Sequence, residues 1–392
     1  MNLFSRSICF FLLLSVLIGC SNSSDYRSLE LVSKRLIEIP IDAETSTSWL
    51  FTQIYKQDGE EYLVYQDLLR TDPKSIHFAH LGDISMSFEV PLSIEGPDGI
   101  GHLDGFYVRN LDSIFVLNRY AYELNLVNSS GKVIDTYRLR KDESNLVTSE
   151  PTTLPYIQNF APVINLGKTL IIPSVPDQVP FESDYKGNLL TIELDLKSKE
   201  IKYNLGFSDK YIESGFWGLH LEDPSYTVNY KDSIILQSFP IDDRVMVYDF
   251  DLRLVKSPSV FKNYYSNKFH SLPEFTMEPS IFYPHIYSNP RNNAILYDKY
   301  RDLYYRVMTG PHPQETIESM DNSSWSQGIG NYEKPSRKIM VFDRNFEEIG
   351  VLELDKNRYW IDFIRVVKEG IIISLQTENE DKKVFEIFEI KI

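Results

Sequence analysis

Between Phe106 and Leu139 the chain runs through four short stretches of apolar and polar alternation, FYVR, SIFVLN, YELNLV and KVIDTYRL, parted by NLD, RYA and NSSG. Alternation of period two marks a strand with one buried face, and the separating residues favour tight turns. The unit is a four-stranded antiparallel meander. It recurs at irregular distance: Lys231–Leu236 (KDSIIL) echoes Leu111–Val116 (LDSIFV), and Val245–Asp249 (VMVYD) is echoed by Ile339–Asp343 (IMVFD). Six such units are read along the chain: Trp49–Leu92, Leu103–Leu139, Gln158–Leu205, Ser225–Lys256, Asn293–Leu354 and Tyr359–Ile390. The 25 Tyr, 23 Phe and 4 Trp suit strands, and no helical periodicity of useful length is present.

Repeated sheets with one apolar face bury it against each other around a common axis. The fold class expected is all-β, a six-bladed β-propeller of four-stranded antiparallel sheets; a sandwich or two separate β domains is the competing arrangement. The last unit shows only three strands, YWIDFIRVV, GIIISLQ and KVFEIFEI, while Leu29–Ile41 (LELVSKRLIEIPI) precedes the first unit. Taken as the outer strand of the last blade, that N-terminal segment closes the ring and covers an exposed edge.

Two stretches carry a resemblance. EGPDGIGHLDGFYVRNLDSIFVLN resembles the start of a blade in six-bladed propellers of the NHL and TolB-like type, where a Pro-x-Gly turn leads into an inner strand. NAILYDKYRDLYYRVM and KIMVFDRNFEEIGVLEL are similar to a family of Bacteroidetes-type lipoproteins classed as a domain of unknown function, DUF4221. The resemblance implies fold and location. It carries no catalytic residues to transfer.

Location also follows from the N-terminus. The run from Ile8 to Ile18 is eleven residues, against about 20 needed to cross a bilayer core. With Arg6 before it and Gly19 after it, the run has the layout of a signal peptide. Leu17-Ile18-Gly19-Cys20 resembles the lipobox at which a lipoprotein is cut and its cysteine acylated. The expected organisation is a signal peptide at 1–19, a tether with acylated Cys20 at 20–28 and the propeller at 29–392; a secreted protein with an incidental Cys20 is the alternative. The chain has two cysteines, Cys9 and Cys20, so no disulfide is expected and stability must come from a large core. Loss of residues 1–19 removes one positive charge, taking the net charge from −16 to −17. That balance argues against nucleic acid as a partner.

In a meander, successive connections alternate between the two ends of the strands. The links that fall on one face are short, such as Asn128–Gly131. The other face holds the long ones: Ser93–His102, Arg140–Tyr156, Pro173–Gly187, Gly206–Pro224, Ser259–Asn292 and Thr309–Ser336. Long loops gathered on one face mark it as the binding face. Its ligand candidates are Trp217 and His220 in GFWGLH, His270, Tyr283 and His285 in the aromatic segment Ser259–Asn292, and Arg306 at a strand end. The aromatics either line a groove for a sugar, peptide or protein or fold down to cap the channel. Arg306 either holds an acidic ligand through its fork of donors or pairs with a carboxylate between blades.

No metal, cofactor or catalytic motif is expected: the chain has no His-x-x-x-His, no His-x-x-Glu-His and no Gly-x-Ser-x-Gly. The expected function is a monomeric, membrane-anchored binding or interaction module of the bacterial envelope, holding a peptide, glycan or envelope protein. A propeller-type polysaccharide hydrolase or lyase is the alternative, and it needs two convergent carboxylates.

Overall fold

Runs of alternating β-branched and aromatic residues pleat, and Gly, Asn or Asp ends them. The computed structural model describes residues 29–41, 50–66, 74–140, 153–177, 185–218, 221–260, 269–276, 278–319, 333–376 and 381–392. Strand β1 (Glu30–Pro40) is the first strand of the described residues and the last in the ring. Blade I is β2 (Thr52–Gln57), β3 (Glu60–Gln66), β4 (Lys74–His80) and β5 (Phe88–Leu92); blade II is β6 (Phe106–Asn110), β7 (Ser113–Asn118), β8 (Glu123–Val127) and β9 (Val133–Arg138). Blade III holds β10 (Thr153–Pro155), β11 (Ile164–Asn165), β12 (Thr169–Pro176), β13 (Leu189–Asp195) and β14 (Ile201–Gly206). Blade IV is β15 (Ser225–Asn229), β16 (Ile234–Ser238), β17 (Val245–Asp249) and β18 (Leu254–Lys256). Blade V is β19 (Arg291–Asp298), β20 (Leu303–Thr309), β21 (Arg337–Phe342) and β22 (Glu348–Leu354), and blade VI is β23 (Tyr359–Val367), β24 (Gly370–Leu375) and β25 (Lys382–Lys391) with β1. This is the six-bladed propeller that the meanders predict.

The N-terminal strand closes the ring. β1 pairs antiparallel with β25 from Glu30 against Lys391 to Pro40 against Lys382. Its inward residues Ile37 and Ile39 pack with Leu63 and Tyr65 of blade I and with Phe363, Ile372 and Phe385 of blade VI. Each of the other gaps between neighbouring blades has an apolar cluster of its own. Val64, Phe78 and Val90 meet Phe106, Ile114 and Val116 between blades I and II, and Tyr305, Val307 and Val341 meet Ile361, Ile371 and Ile373 between blades V and VI. Full burial of one such side chain contributes about 1.5–3 kcal/mol, so the stacked gaps supply a large core to described residues that include no cysteine.

Blade III departs from the plain pattern. Its sheet begins at Thr153 instead of the expected Gln158, and its inner strand is split: β10 pairs with Ser174–Pro176 and β11 with Leu170–Ile171. Pro155 and Pro162 flank the interruption, and a proline has no N–H to give a ladder. The chain between them turns on itself through a Gln158–Ala161 bridge and swells toward the propeller axis.

Connections alternate as expected. Those on the first face are tight, the longest described being Leu81–Ser87, which contains a short 3-10 turn at Ile84–Met86 capped by Asp83. One tight turn is also a joint between blades. Gly131 has φ +75°, and a Cβ there would lie 1.8 Å from the Pro91 carbonyl oxygen of blade I, so only glycine fits. The second face carries the long connections. One of them contains a helix, Pro279–Ser288, where no helical period stands out in the sequence. Pro279 pre-sets the first turn, and Phe282, His285 and Ile286 are buried one turn apart. Among the described residues no helix is long and apolar enough to cross a membrane.

Candidate ligand site in the central channel

The innermost strands β2, β6, β15, β19 and β23, with the split inner strand of blade III, surround the axis. They enclose a cavity of about 220 Å³ to which all six blades contribute. Side chains of an inner strand alternate between its two flanking gaps; Phe106 packs toward blade I and Tyr107 toward blade III, and both border the cavity, so polar residues here lie where an apolar gap meets the channel. Each must find a partner or face the cavity.

Accounting for those polar groups separates the spent from the unspent. Gln53 clips blade I to blade II, donating to Val108 O at 2.8 Å and accepting from Val108 N at 2.8 Å. Thr227 Oγ1 accepts from Tyr297 N at 3.2 Å. Thr52 donates its hydroxyl to Asn159 Oδ1 at 2.6 Å, and so meets Arg365 Nη2, at 3.1 Å, as an acceptor. Arg365 also donates from Nη1 to Ile364 O at 2.8 Å and lies 5.4 Å from the Phe363 ring centroid. Burial pushes its pKa down to about 9. Arg365 nonetheless keeps some accessible surface, because it lines the cavity. Burial likewise pushes the Tyr107 hydroxyl up to about 12.

A second group of titratable residues stands on the long-loop face, just ahead of β15. Glu222 Oε1 accepts from Tyr185 Oη at 2.7 Å and from Gly218 N at 2.9 Å, yet burial raises its pKa to about 7. Burial raises Asp223 to about 6, against the pull of Arg119. The Arg119 guanidinium sits 4.9 Å over the Tyr156 ring centroid. Raised carboxyl pKa values suit an acid or base working near neutrality. Among the described residues no group of three His, Cys, Asp or Glu is placed to hold a metal ion.

The structure gathers four of the ligand candidates read from the sequence and keeps one apart. Trp217 is 2% exposed, donates from Nε1 to Ser214 Oγ at 3.2 Å and offers its carbonyl to His285 Nε2 at 2.8 Å. His285 is buried, and burial pushes its pKa down to about 4. The exposed His270 ring lies 5.7 Å from that of His285, and the half-buried Tyr283 stacks on Tyr287. Together with Tyr185, Phe207, Tyr211 and Phe239 they form an aromatic cap over blades III and IV. Arg306 lies elsewhere, fully buried between blades IV and V. It donates to Ser238 Oγ (3.1 Å) and to the carbonyls of Asp243 (3.2 Å), Phe239 (3.3 Å), Asp242 (2.5 Å) and Arg244 (3.4 Å). His220 and Cys20 lie outside the described residues.

Arg365 escaped the sequence reading because nothing local marks it. The one available signal was a cation in a mainly apolar inner strand, YWIDFIRVV, whose other charged residue is Asp362. Between Trp360 and Ile364 the register of β23 against β24 shifts, which breaks the alternation from which its direction would be read.

Residues 28–350 match the family described as "Domain of unknown function (DUF4221)". The crystal structure of a member of that family from Bacteroides vulgatus is similar over 93% of this chain and 99% of its own, with TM-score 0.76 and 21% identity. A putative exported protein from Bacteroides fragilis is similar over 93% of this chain and 96% of its own, with TM-score 0.50 and 11% identity. At these identities the likeness is one of fold. No curated protein matches the chain.

Proposed function

The chain belongs to the family of the domain of unknown function DUF4221, and we propose that it is a lipid-anchored envelope protein whose propeller works as a binding module, with the central channel as its ligand site. The observation that carries this reading is the cavity on the axis, to which every blade contributes and whose wall mixes apolar surface with amide, hydroxyl and guanidinium groups. Concave sites with mostly apolar walls and a few placed polar groups are where small ligands bind. The test is thermal-shift screening against sugars, short peptides and organic acids. Ligands that raise the midpoint are expected to lose that effect in Val228→Trp, which narrows the channel. Ligands that stabilise both proteins equally would refute the channel as the site.

The anchor reading rests on Leu17-Ile18-Gly19-Cys20. Cys20→Ala is expected to move the protein from the membrane fraction to the soluble one, and a variant that stays bound would sink the idea. The polarity of β1 adds an orientation. Glu30 pairs with Lys391 at the tight-turn rim, and Pro40 with Lys382 at the long-loop rim. A tether from Cys20 to Glu30 spans at most about 35 Å and leaves the disc at its tight-turn rim, so the long-loop face and channel mouth turn away from the bilayer.

A hydrolase or lyase reading has one observation in its favour, the raised pKa values of Glu222 and Asp223. It requires cleavage of a polysaccharide that Glu222→Gln abolishes.

A further inference from the structure

We infer that the central channel binds a small organic carboxylate and that the Arg365 guanidinium is its counter-charge, an inference that rests on reading the propeller as a binding module. Buried cations are normally paired, because an ion taken from water without a partner costs several kcal/mol. This propeller shows both situations. Arg306 is surrounded by backbone carbonyls with Asp242 and Asp243 in its field. Arg365, by contrast, has no ion pair among the described side chains.

Its placement is fixed all the same. The Thr52 hydroxyl is committed to Asn159 and presents a lone pair to Nη2. The Phe363 ring lies beside the guanidinium plane. The register of β23 against β24 shifts just before Arg365, the kind of irregularity that re-aims a side chain next to a site. With one bond from each terminal nitrogen, Nη1 and Nη2 each keep a second N–H. A planar fork with donors left over matches a carboxylate with two parallel hydrogen bonds. The walls contributed by Ile54, Phe106, Ile157, Val228 and Leu296 suit an apolar body behind that carboxylate. The cavity of about 220 Å³ is below the range of roughly 300–1,000 Å³ typical for drug-sized ligands, so the ligand is small.

The test is calorimetric titration of the full chain in detergent with phenylacetate and with its neutral isostere phenylacetamide. Saturable phenylacetate binding is expected, weakened at least about ten-fold both in the amide and in Arg365→Met. Arg365→Lys, which keeps the charge and loses the fork, is expected to fall between the two and serves if the methionine variant fails to fold. Val228→Trp should abolish binding with Arg365 in place. No saturable phenylacetate binding up to roughly 10 mM, or an amide that binds as tightly as the acid, overturns the inference. Amide binding that Val228→Trp still removes would leave the channel as a binding site without an anion requirement. Binding that survives Val228→Trp would remove the channel reading itself.

Discussion

The two buried arginines make opposite predictions for the same substitution. Arg306→Met removes the donor to four backbone carbonyls and to the Ser238 hydroxyl. It also removes a cation from the field of Asp242 and Asp243, although Asp242 keeps Arg244 at 2.9 Å. Each orphaned buried acceptor costs about 1 kcal/mol or more, and breaking one side of a buried charge arrangement costs about 3–5 kcal/mol. Arg365→Met gives up two hydrogen bonds, to Ile364 O and Thr52 Oγ1, and relieves a cation that burial alone disfavours. Those effects oppose each other and leave a change within about 1 kcal/mol of zero. On a body of this size 1 kcal/mol moves the melting midpoint by about 1.3 °C. Differential scanning calorimetry should therefore show Arg306→Met falling by about 4–7 °C and Arg365→Met barely moving. Equal losses, or a larger loss for Arg365→Met, would show that Arg365 is a structural cation, and the contrast between the two sites would be refuted.

Three further outcomes are expected. Gly131→Ala places a Cβ against the Pro91 carbonyl at positive φ, whereas Gly167, at φ +84°, has nothing within 4 Å; urea unfolding should show a loss of about 3 kcal/mol or more for the first and about 1 kcal/mol for Gly167→Ala. The folded pKa of Glu222 is raised to about 7 from 4.5, so its contribution to stability is present below pH 4.5 and is lost as pH rises through 7. Relative to the parent, Glu222→Gln should gain about 2 kcal/mol between pH 4 and 8, less than the full conversion because the side chain keeps some solvent; a difference that does not change with pH would refute the shift. Deleting residues 382–392 removes β25, the partner of both β1 and β24, and should abolish the cooperative transition in circular dichroism.

The sheets were legible because their cause is local. Alternation and turn residues mark each blade, and the echo of LDSIFV in KDSIIL marks the repeat. Even the closing strand could be placed, since a three-stranded last unit and an unassigned LELVSKRLIEIPI complement each other. The split inner strand of blade III was not legible: Thr153–Pro155 is three residues long, too short for a period. The helix Pro279–Ser288 was hidden by aromatics on several of its faces. For the site, the gathering of Trp217, His270, Tyr283 and His285 followed from their loops sharing a face. The burial of Trp217 and His285 did not follow, because it depends on Tyr185, Phe207 and Phe239 arriving from other connections. The isolation of Arg365 is the least local property of all. It depends on which charges the described side chains of every blade do not bring to the axis.

The pairing of β1 with β25 also orders events in time. Glu30 pairs across to Lys391, so β1 waits until the sixth unit has been made before its sheet is complete. Blades I to V are each continuous in sequence and can form as the chain emerges, whereas blade VI cannot. Contacts of such sequence separation form late and slowly. Until then Ile37, Ile39, Ile372 and Phe385, which later fill the closing gap, stand uncovered. The unclosed ring is thus the species most exposed to misassembly, and the rate of that single closure sets how long it persists.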